Sequence, residues 1–210
     1  MLKIYSIFIF FLLVGCSSTK LTDSWKNTSY NTYQPKKVLI LGVTPNITAR
    51  KLYESKLTTA LNKRGIQGYE GANVLEPEFT NLKQAEKNIE KEVSNLSKLG
   101  FDAILIAAVK GYDERIPYKG NIFSNDDALQ GFENYYFLNQ DVYLDTGYYD
   151  KYKVFHIEIS LYNITSENGK SLVWVASYDV INPKKIKTTI KRCNRAILST
   201  LEKEGIIPEI

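Results

Sequence analysis

The chain is short of the side chains that most catalytic and metal chemistry relies on. Its 210 residues include one histidine, two cysteines, one methionine and two tryptophans. A zinc site of the usual imidazole and thiolate ligands is excluded by that scarcity, because such a site takes several of them. No G-x-x-x-x-G-K-[ST] loop occurs, and the first apolar strand runs into "GVTPNITAR", which lacks the glycines that cradle phosphate. Nucleotide binding is therefore unsupported, and no motif calls for a cofactor. Neither sign of charge dominates: 27 cationic side chains face 23 anionic ones, a net +4. That balance is too mild to imply a nucleic-acid partner. Nor is there an apolar run near the roughly 20 residues that a membrane-crossing helix needs.

What is present begins at the N-terminus. An apolar segment eleven residues long, Ile4 to Val14, follows a single cation at Lys3 and leads to "LVGC", Leu13 to Cys16. A charged start, a short apolar core and small residues after it are the parts of a secretory signal peptide. The four residues resemble the bacterial lipobox, which implies acylation of Cys16, cleavage before it and a lipidated first residue. Each buried CH₂ contributes about 0.8 kcal/mol, so more than one acyl chain holds durably. The chain is then anchored without spanning. In Gram-negative lipoproteins an Asp after the cysteine retains the protein at the inner membrane; Ser17 is not Asp, which favours the outer membrane, periplasmic face. The mature chain would have 195 residues and a net charge of +3, enough for one domain with a real core. With Cys16 lipidated, Cys193 has no partner, so no disulfide framework is expected; its helical spacing with Ile190, Ile197 and Leu201 reads as a buried structural thiol.

Residues 16–36 read as lipidated cysteine plus flexible tether, rich in Ser, Thr and Asn and closing at Pro35, with a reach of about 25 Å. Trp25 either docks this tether or stands exposed. Residues 37–210 read as a single α/β domain. "KKVLILGV" predicts a strand at Val38 to Val43 buried on both faces. Ala49, Leu52, Tyr53, Leu57, Ala60 and Leu61 predict a helix stopped at Gly65, and a weak strand follows at Ile66 to Tyr69. Asn81 and Gln84 resemble a helix-start box for the stripe Leu82, Ala85, Ile89, Val93 and Leu96, ending at Gly100. Ala103 to Val109 predicts the central strand. This β-α-β-α-β order implies a parallel core with right-handed crossovers. Period two from Tyr152, with Phe155, Ile157, Ile159 and Leu161 on one face, then the "TSENGK" turn and Leu172, Trp174, Ala176 and Tyr178, predicts an antiparallel β-hairpin. Asn182 and Pro183 read as cap and first turn of a C-terminal helix carrying Ile186, Ile190, Cys193, Ile197 and Leu201. The expected fold class is α/β with a mixed sheet.

Between these elements, residues 110–151 show no convincing helix or strand. They hold Tyr112, Tyr118, Phe123, Phe132, Tyr135, Tyr136, Phe137, Tyr143, Tyr148 and Tyr149, a dense share of the chain's aromatic residues. So long an aromatic insert in a compact domain is expected to carry function, with Tyr112, Tyr118, Tyr135, Tyr136, Tyr148 and Tyr149 as candidate binding residues. The alternative is a lid over one sheet edge. Its acids Asp126, Asp127, Asp141, Asp145 and Asp150 fit no calcium loop and read as solvated; a paired-carboxylate hydrolase built on them is the alternative function. His156 lies mid-strand on the more polar face, without the loop geometry of a triad. Open parallel sheets bind ligands beyond the carboxyl ends of their strands, which would gather Thr44, Asn46, Arg50, Lys110, Tyr112 and Arg115. Arg50 alternatively pairs with Glu54 one turn on. Lys184, Lys185, Lys187, Lys191, Arg192 and Arg195 form either the solvated face of the last helix or a surface for anionic headgroups or an acidic partner.

Ser24-Trp25-Lys26, "KVLILGV", Arg50, Tyr53-Glu54, Leu57, Leu61, Gly65, Asp102, Leu172-Val173-Trp174 and the last helix together resemble a family of uncharacterised bacterial envelope lipoproteins, with no match in the 110–151 insert. The architecture also looks like the α/β domains of the curli-secretion lipoprotein and of lipoprotein activators of peptidoglycan synthases, a likeness of fold that does not carry function. The sequence thus predicts a membrane-anchored, non-enzymatic envelope module that binds a protein or surface polymer; a pore-forming subunit would need a pair of long amphipathic membrane strands, which the chain lacks. Nothing in it sets an oligomeric state.

Overall fold

The structure is a computed structural model, and it describes residues 19–115, 152–166 and 172–210. It has six strands, β1 (Thr19–Lys26), β2 (Lys37–Val43), β3 (Gln67–Glu70), β4 (Ala103–Arg115), β5 (Tyr152–Asn163) and β6 (Leu172–Ile181). The helices are α1 (Ile47–Lys63), α2 (Gly71–Val74), α3 (Pro77–Asn81), α4 (Glu86–Lys98) and α5 (Ile186–Lys203). The strands form one mixed sheet in the order β1-β6-β5-β4-β2-β3. β2 pairs in parallel with β3 and β4, and the β4, β5, β6, β1 half is antiparallel. The α/β expectation, with β4 central and the hairpin beside the parallel part, is what the chain adopts.

β2 is apolar throughout because both its faces are covered. Val38 and Ile40 join Tyr53, Leu57 and Leu61 of α1 and Ile197 and Leu201 of α5 in the main core, which also takes in Trp174 and Tyr178. Leu39, on the opposite face, packs with Leu75, Leu96 and Phe101 in a second, smaller core beneath α4. Alternating side chains of one strand thus serve two layers, as a strand between helices must. α1 starts where Asn46 Oδ1 accepts from the Ala49 N–H at 2.9 Å and stops before Gly65, at φ 78°; a left-handed backbone there suits glycine.

Four expectations need correction. The tether expected to be flexible over 16–36 contains β1, whose backbone pairs with β6 from Thr19 opposite Val180 to Lys26 opposite Trp174. Backbone pairing and polar stitching hold it rather than a buried face: Ser24 Oγ donates to Glu204 Oε1 at 2.7 Å, and Lys26 Nζ to the Glu204 carbonyl at 2.9 Å. Trp25, on this strand, stands half exposed. Asn81 and Gln84 do not start α4. Pro77 opens a separate short helix that Asn81 ends, Leu82 is extended, and Gln84 Nε2 donates back to the carbonyls of Glu78 and Leu82. Asn182 and Pro183 do not cap α5, which begins after Lys185; Asn182 turns the chain at φ 44° and donates its N–H to the Lys153 carbonyl at 2.8 Å. Finally, 110–115 is not loop: β4 continues to Arg115, in register with β5 as far as Tyr152.

Candidate functional site

β4 outruns its parallel neighbour β2. The last parallel partner of β4 is Val43 opposite Ala108, while its antiparallel pairing with β5 continues six more residues. The register shifts between Val109 and Gly111, leaving Lys110 as the extra residue of a bulge; such insertions bend a strand and re-aim its side chains. Beyond the bulge β5 stays paired with β6 as far as Val154 opposite Ile181, and only the last two pairs, Glu114 with Lys153 and Arg115 with Tyr152, run on as two strands.

Paired residues of an antiparallel ribbon share a face. On one face Tyr112 meets Phe155, ring centroids 5.5 Å apart and tilted by 37°. Lys153 Nζ lies 4.5 Å from the Tyr112 ring centroid and 3.7 Å from Glu114 Oε1. Tyr112 is still 54% exposed. On the other face, His156 sits between two carboxylates. Its Nδ1 is 2.8 Å from Asp179 Oδ1 on β6, and its Nε2 3.2 Å from Asp113 Oδ2 on β4. Both ring nitrogens donate only when the imidazole is charged, and the hydrogen bonds to Asp179 and Asp113 raise the His156 pKa above its ordinary value. The arrangement holds a proton across three strands. It offers no nucleophile to activate, and among the described residues no cluster of His, Cys, Asp and Glu could hold a metal ion. Sequence reading located His156 on the polar face but missed both partners, which lie 43 and 23 residues away along the chain and meet it only through the strand register.

Arg50 is not part of this strand pair. Its Nε donates to Glu54 Oε1 at 3.0 Å, and the Glu54 carboxylate is fully buried. Glu54 also accepts from the Gly42 N–H through Oε1 at 3.0 Å and from the Ala72 N–H through Oε2 at 2.9 Å. The pair therefore ties α1 to the end of β2 and the start of α2, a structural clasp in place of the exposed i,i+4 pair that spacing suggested. Of the residues expected to gather with Arg50, Thr44 shares crevices with it, Asn46 caps α1, Lys110 reaches Glu158 at 3.5 Å and Tyr112 stacks on Phe155. The expected single cluster at the strand ends is thus divided among separate partners. Cys193 is buried, and burial pushes its thiol pKa up to about 12, in keeping with a structural thiol. Cys16, Tyr118, Tyr135, Tyr136, Tyr148 and Tyr149, and the acids Asp126, Asp127, Asp141, Asp145 and Asp150, lie outside the described residues.

No family model and no curated protein matches the chain. Solved structures do. A PelC dodecamer from Paraburkholderia phytofirmans is similar at 13% identity and a TM-score of 0.42, over 87% of this chain and 95% of that one. A point variant of the same protein gives 14% and 0.42, over 86% and 94%. Lipoprotein GNA1162 from Neisseria meningitidis is similar at 15% identity and a TM-score of 0.41, over 80% of this chain and 99% of that one. Among the described residues of the present chain, no helix is long and apolar enough to cross a membrane.

Proposed function

We propose that this chain is a lipid-anchored envelope module that binds a protein or surface polymer and catalyses no reaction. The anchor is Cys16, and the membrane is the outer one, periplasmic face, on the reading of Ser17. The observation that carries the binding role is the stretch of β4 that runs on past the end of β2 and presents a half-exposed Tyr112 braced by Phe155 and Lys153. A tyrosine held by stacking supplies contact area at low entropic cost, which suits recognition.

In-cell formaldehyde crosslinking, followed by purification through the chain, tests the role. A discrete adduct is expected in the wild type and its loss in Tyr112→Ser, with the melting temperature unchanged because the ring is half exposed. The same contrast applies to Tyr135, Tyr136, Tyr148 and Tyr149 changed together to Ser. Rings that act as a lid would lower stability instead, and a variant that keeps both stability and adduct removes the binding reading. Cys16→Ser should leave the membrane fraction or remain unprocessed.

A further inference from the structure

One end of the sheet collects features found together nowhere else among the described residues. β2 finishes there at Val43 and β6 at Ile181, α1 and α5 begin there at Ile47 and Ile186, and β1 enters there at Thr19, opposite Val180. Val43, Ile47, Val109, Tyr112, Ile181 and Ile186 all stand exposed at this end. Apolar side chains scattered singly are ordinary on a protein surface, whereas a group of them marks contact with something apolar. Behind them a crevice of about 70 Å³, walled by residues such as Ala49, Ile157 and Ile190, opens between α1 and α5.

Charge at this end is sorted as well. Lys184, Lys185 and Lys187 are exposed around Ile186. Among the described residues the acids nearby are engaged: Asp113 and Asp179 with His156, Glu114 with Lys153, and Glu158 with Lys110. The two helices that begin here, counted with the flanking Arg64, Lys184, Lys185 and Glu204, carry twelve cations against Glu54, Glu202 and Glu204 in a chain of net charge +4. Glu54 is buried, and Glu202 is taken by Arg64.

The geometry points to this end as the face that lies on an anionic lipid bilayer, with Ile47 and Ile186 at headgroup level and Lys184, Lys185 and Lys187 against the lipid phosphates. Apolar side chains interleaved with lysines are how a surface seats itself in the interface. The inference rests on the reading of Cys16 as the anchor. Only Ser17 and Ser18 lie between Cys16 and Thr19, and the three steps along the chain reach at most about 11 Å. β1 holds the chain up to that point, so the bilayer lies beside Thr19, the end where the exposed apolar groups and the lysines are. The anchor therefore fixes an orientation as well as a location: α1 and α5 run away from the membrane, and their far ends, Lys63 and Lys203, face the solvent.

Site-directed fluorescence tests this orientation. Cys193 is buried, so a cysteine introduced at Thr188 (T188C) or at Lys203 (K203C) takes a fluorophore selectively in the native lipidated protein. Each labelled protein is reconstituted into vesicles of phosphatidylcholine with phosphatidylglycerol, or of phosphatidylcholine alone, carrying a quencher at headgroup depth. Strong quenching is expected at position 188 in the acidic vesicles, with little at 203. Reversing Lys184, Lys185 and Lys187 to Glu should cut the quenching at 188 about tenfold, while Lys63→Glu should not change it. Equal quenching at both positions, or quenching at 188 indifferent to acidic lipid and to charge reversal, overturns the proposal. The labelling also reports on the anchor, because an acylated and thioether-linked Cys16 takes no fluorophore. If mass spectrometry finds Cys16 labelled, the anchor reading fails; the docking face is then judged by the same contrast with the protein added to preformed vesicles.

Discussion

Trp174 and Glu204 meet across the interior: the indole Nε1–H donates to Glu204 Oε2 at 2.8 Å, and the Trp174 side chain is fully buried. The other oxygen of the same carboxylate takes the Ser24 hydroxyl. One glutamate at the end of α5 therefore holds β6 and β1 to that helix.

Trp174→Phe keeps most of the ring volume but removes the donor to a charged acceptor. A loss of about 1.5–3 kcal/mol is expected, measured by urea unfolding. Ser24→Ala in the Trp174→Phe background should cost less than it does in the wild type if the two donors act as a unit; strict additivity would separate β1 from this clasp.

Glu54→Ala leaves the Arg50 guanidinium and the N–H groups of Gly42 and Ala72 without their acceptor in a buried place. Breaking a buried pair from one side costs about 3–5 kcal/mol, and the same unfolding experiment reads it. A change under about 1 kcal/mol, the range of an exposed pair, would show that the clasp contributes nothing. The loss should not depend on salt, because a buried pair is little screened.

His156 makes stability depend on pH. Its folded pKa is raised above 6.5 by the hydrogen bonds to Asp179 and Asp113. The stabilisation is therefore complete below about pH 6.5 and is lost as pH rises through the folded value. The charges that face this group are Asp113 from β4, Asp179 from β6 and, opposite Asp179 in register, Lys20 from β1. Melting temperature should fall between mildly acidic and mildly alkaline buffer in the wild type, and His156→Gln should flatten that dependence. A variant with the wild-type slope would assign the slope to other groups.

Cys193 should resist thiol reagents in the folded protein at pH 8 and react once denaturant is added, since burial keeps its thiol neutral. Fast labelling under native conditions would mean that the α1 and α5 layer opens readily.

What was legible in the sequence follows from where side chains are buried. β2 and β4 could be read because both faces are covered, so their apolar runs are continuous, and α5 could be read because Cys193, Ile197 and Leu201 repeat on one stripe. β1 could not be read. Of its eight residues only Thr19 is buried, so its alternation carries no apolar signal, and what fixes it is the backbone of β6, about 150 residues later. The two caps failed for a local reason. Asn81 and Asn182 are turn formers as well as caps, and each ends the preceding element instead of opening the next helix. The surroundings of Tyr112 were half legible: Tyr112 was singled out by the aromatic density around it, but Phe155 and Lys153 join it only through a register that a single strand does not reveal.

The two edges of the sheet decide how this protein can associate with copies of itself. β3, at one edge, is four residues long and includes Gly68. β1, at the other, breaks its pairing register between Leu21 and Asp23 and carries Lys20, Asp23 and Lys26. Short length, irregular pairing and charge each make an edge a poor template for another strand. Growth of the sheet from molecule to molecule is thereby discouraged at both ends, which leaves any crowding of these domains on a membrane to be managed through side chains, reversibly and without a continuous ladder that could seed fibres.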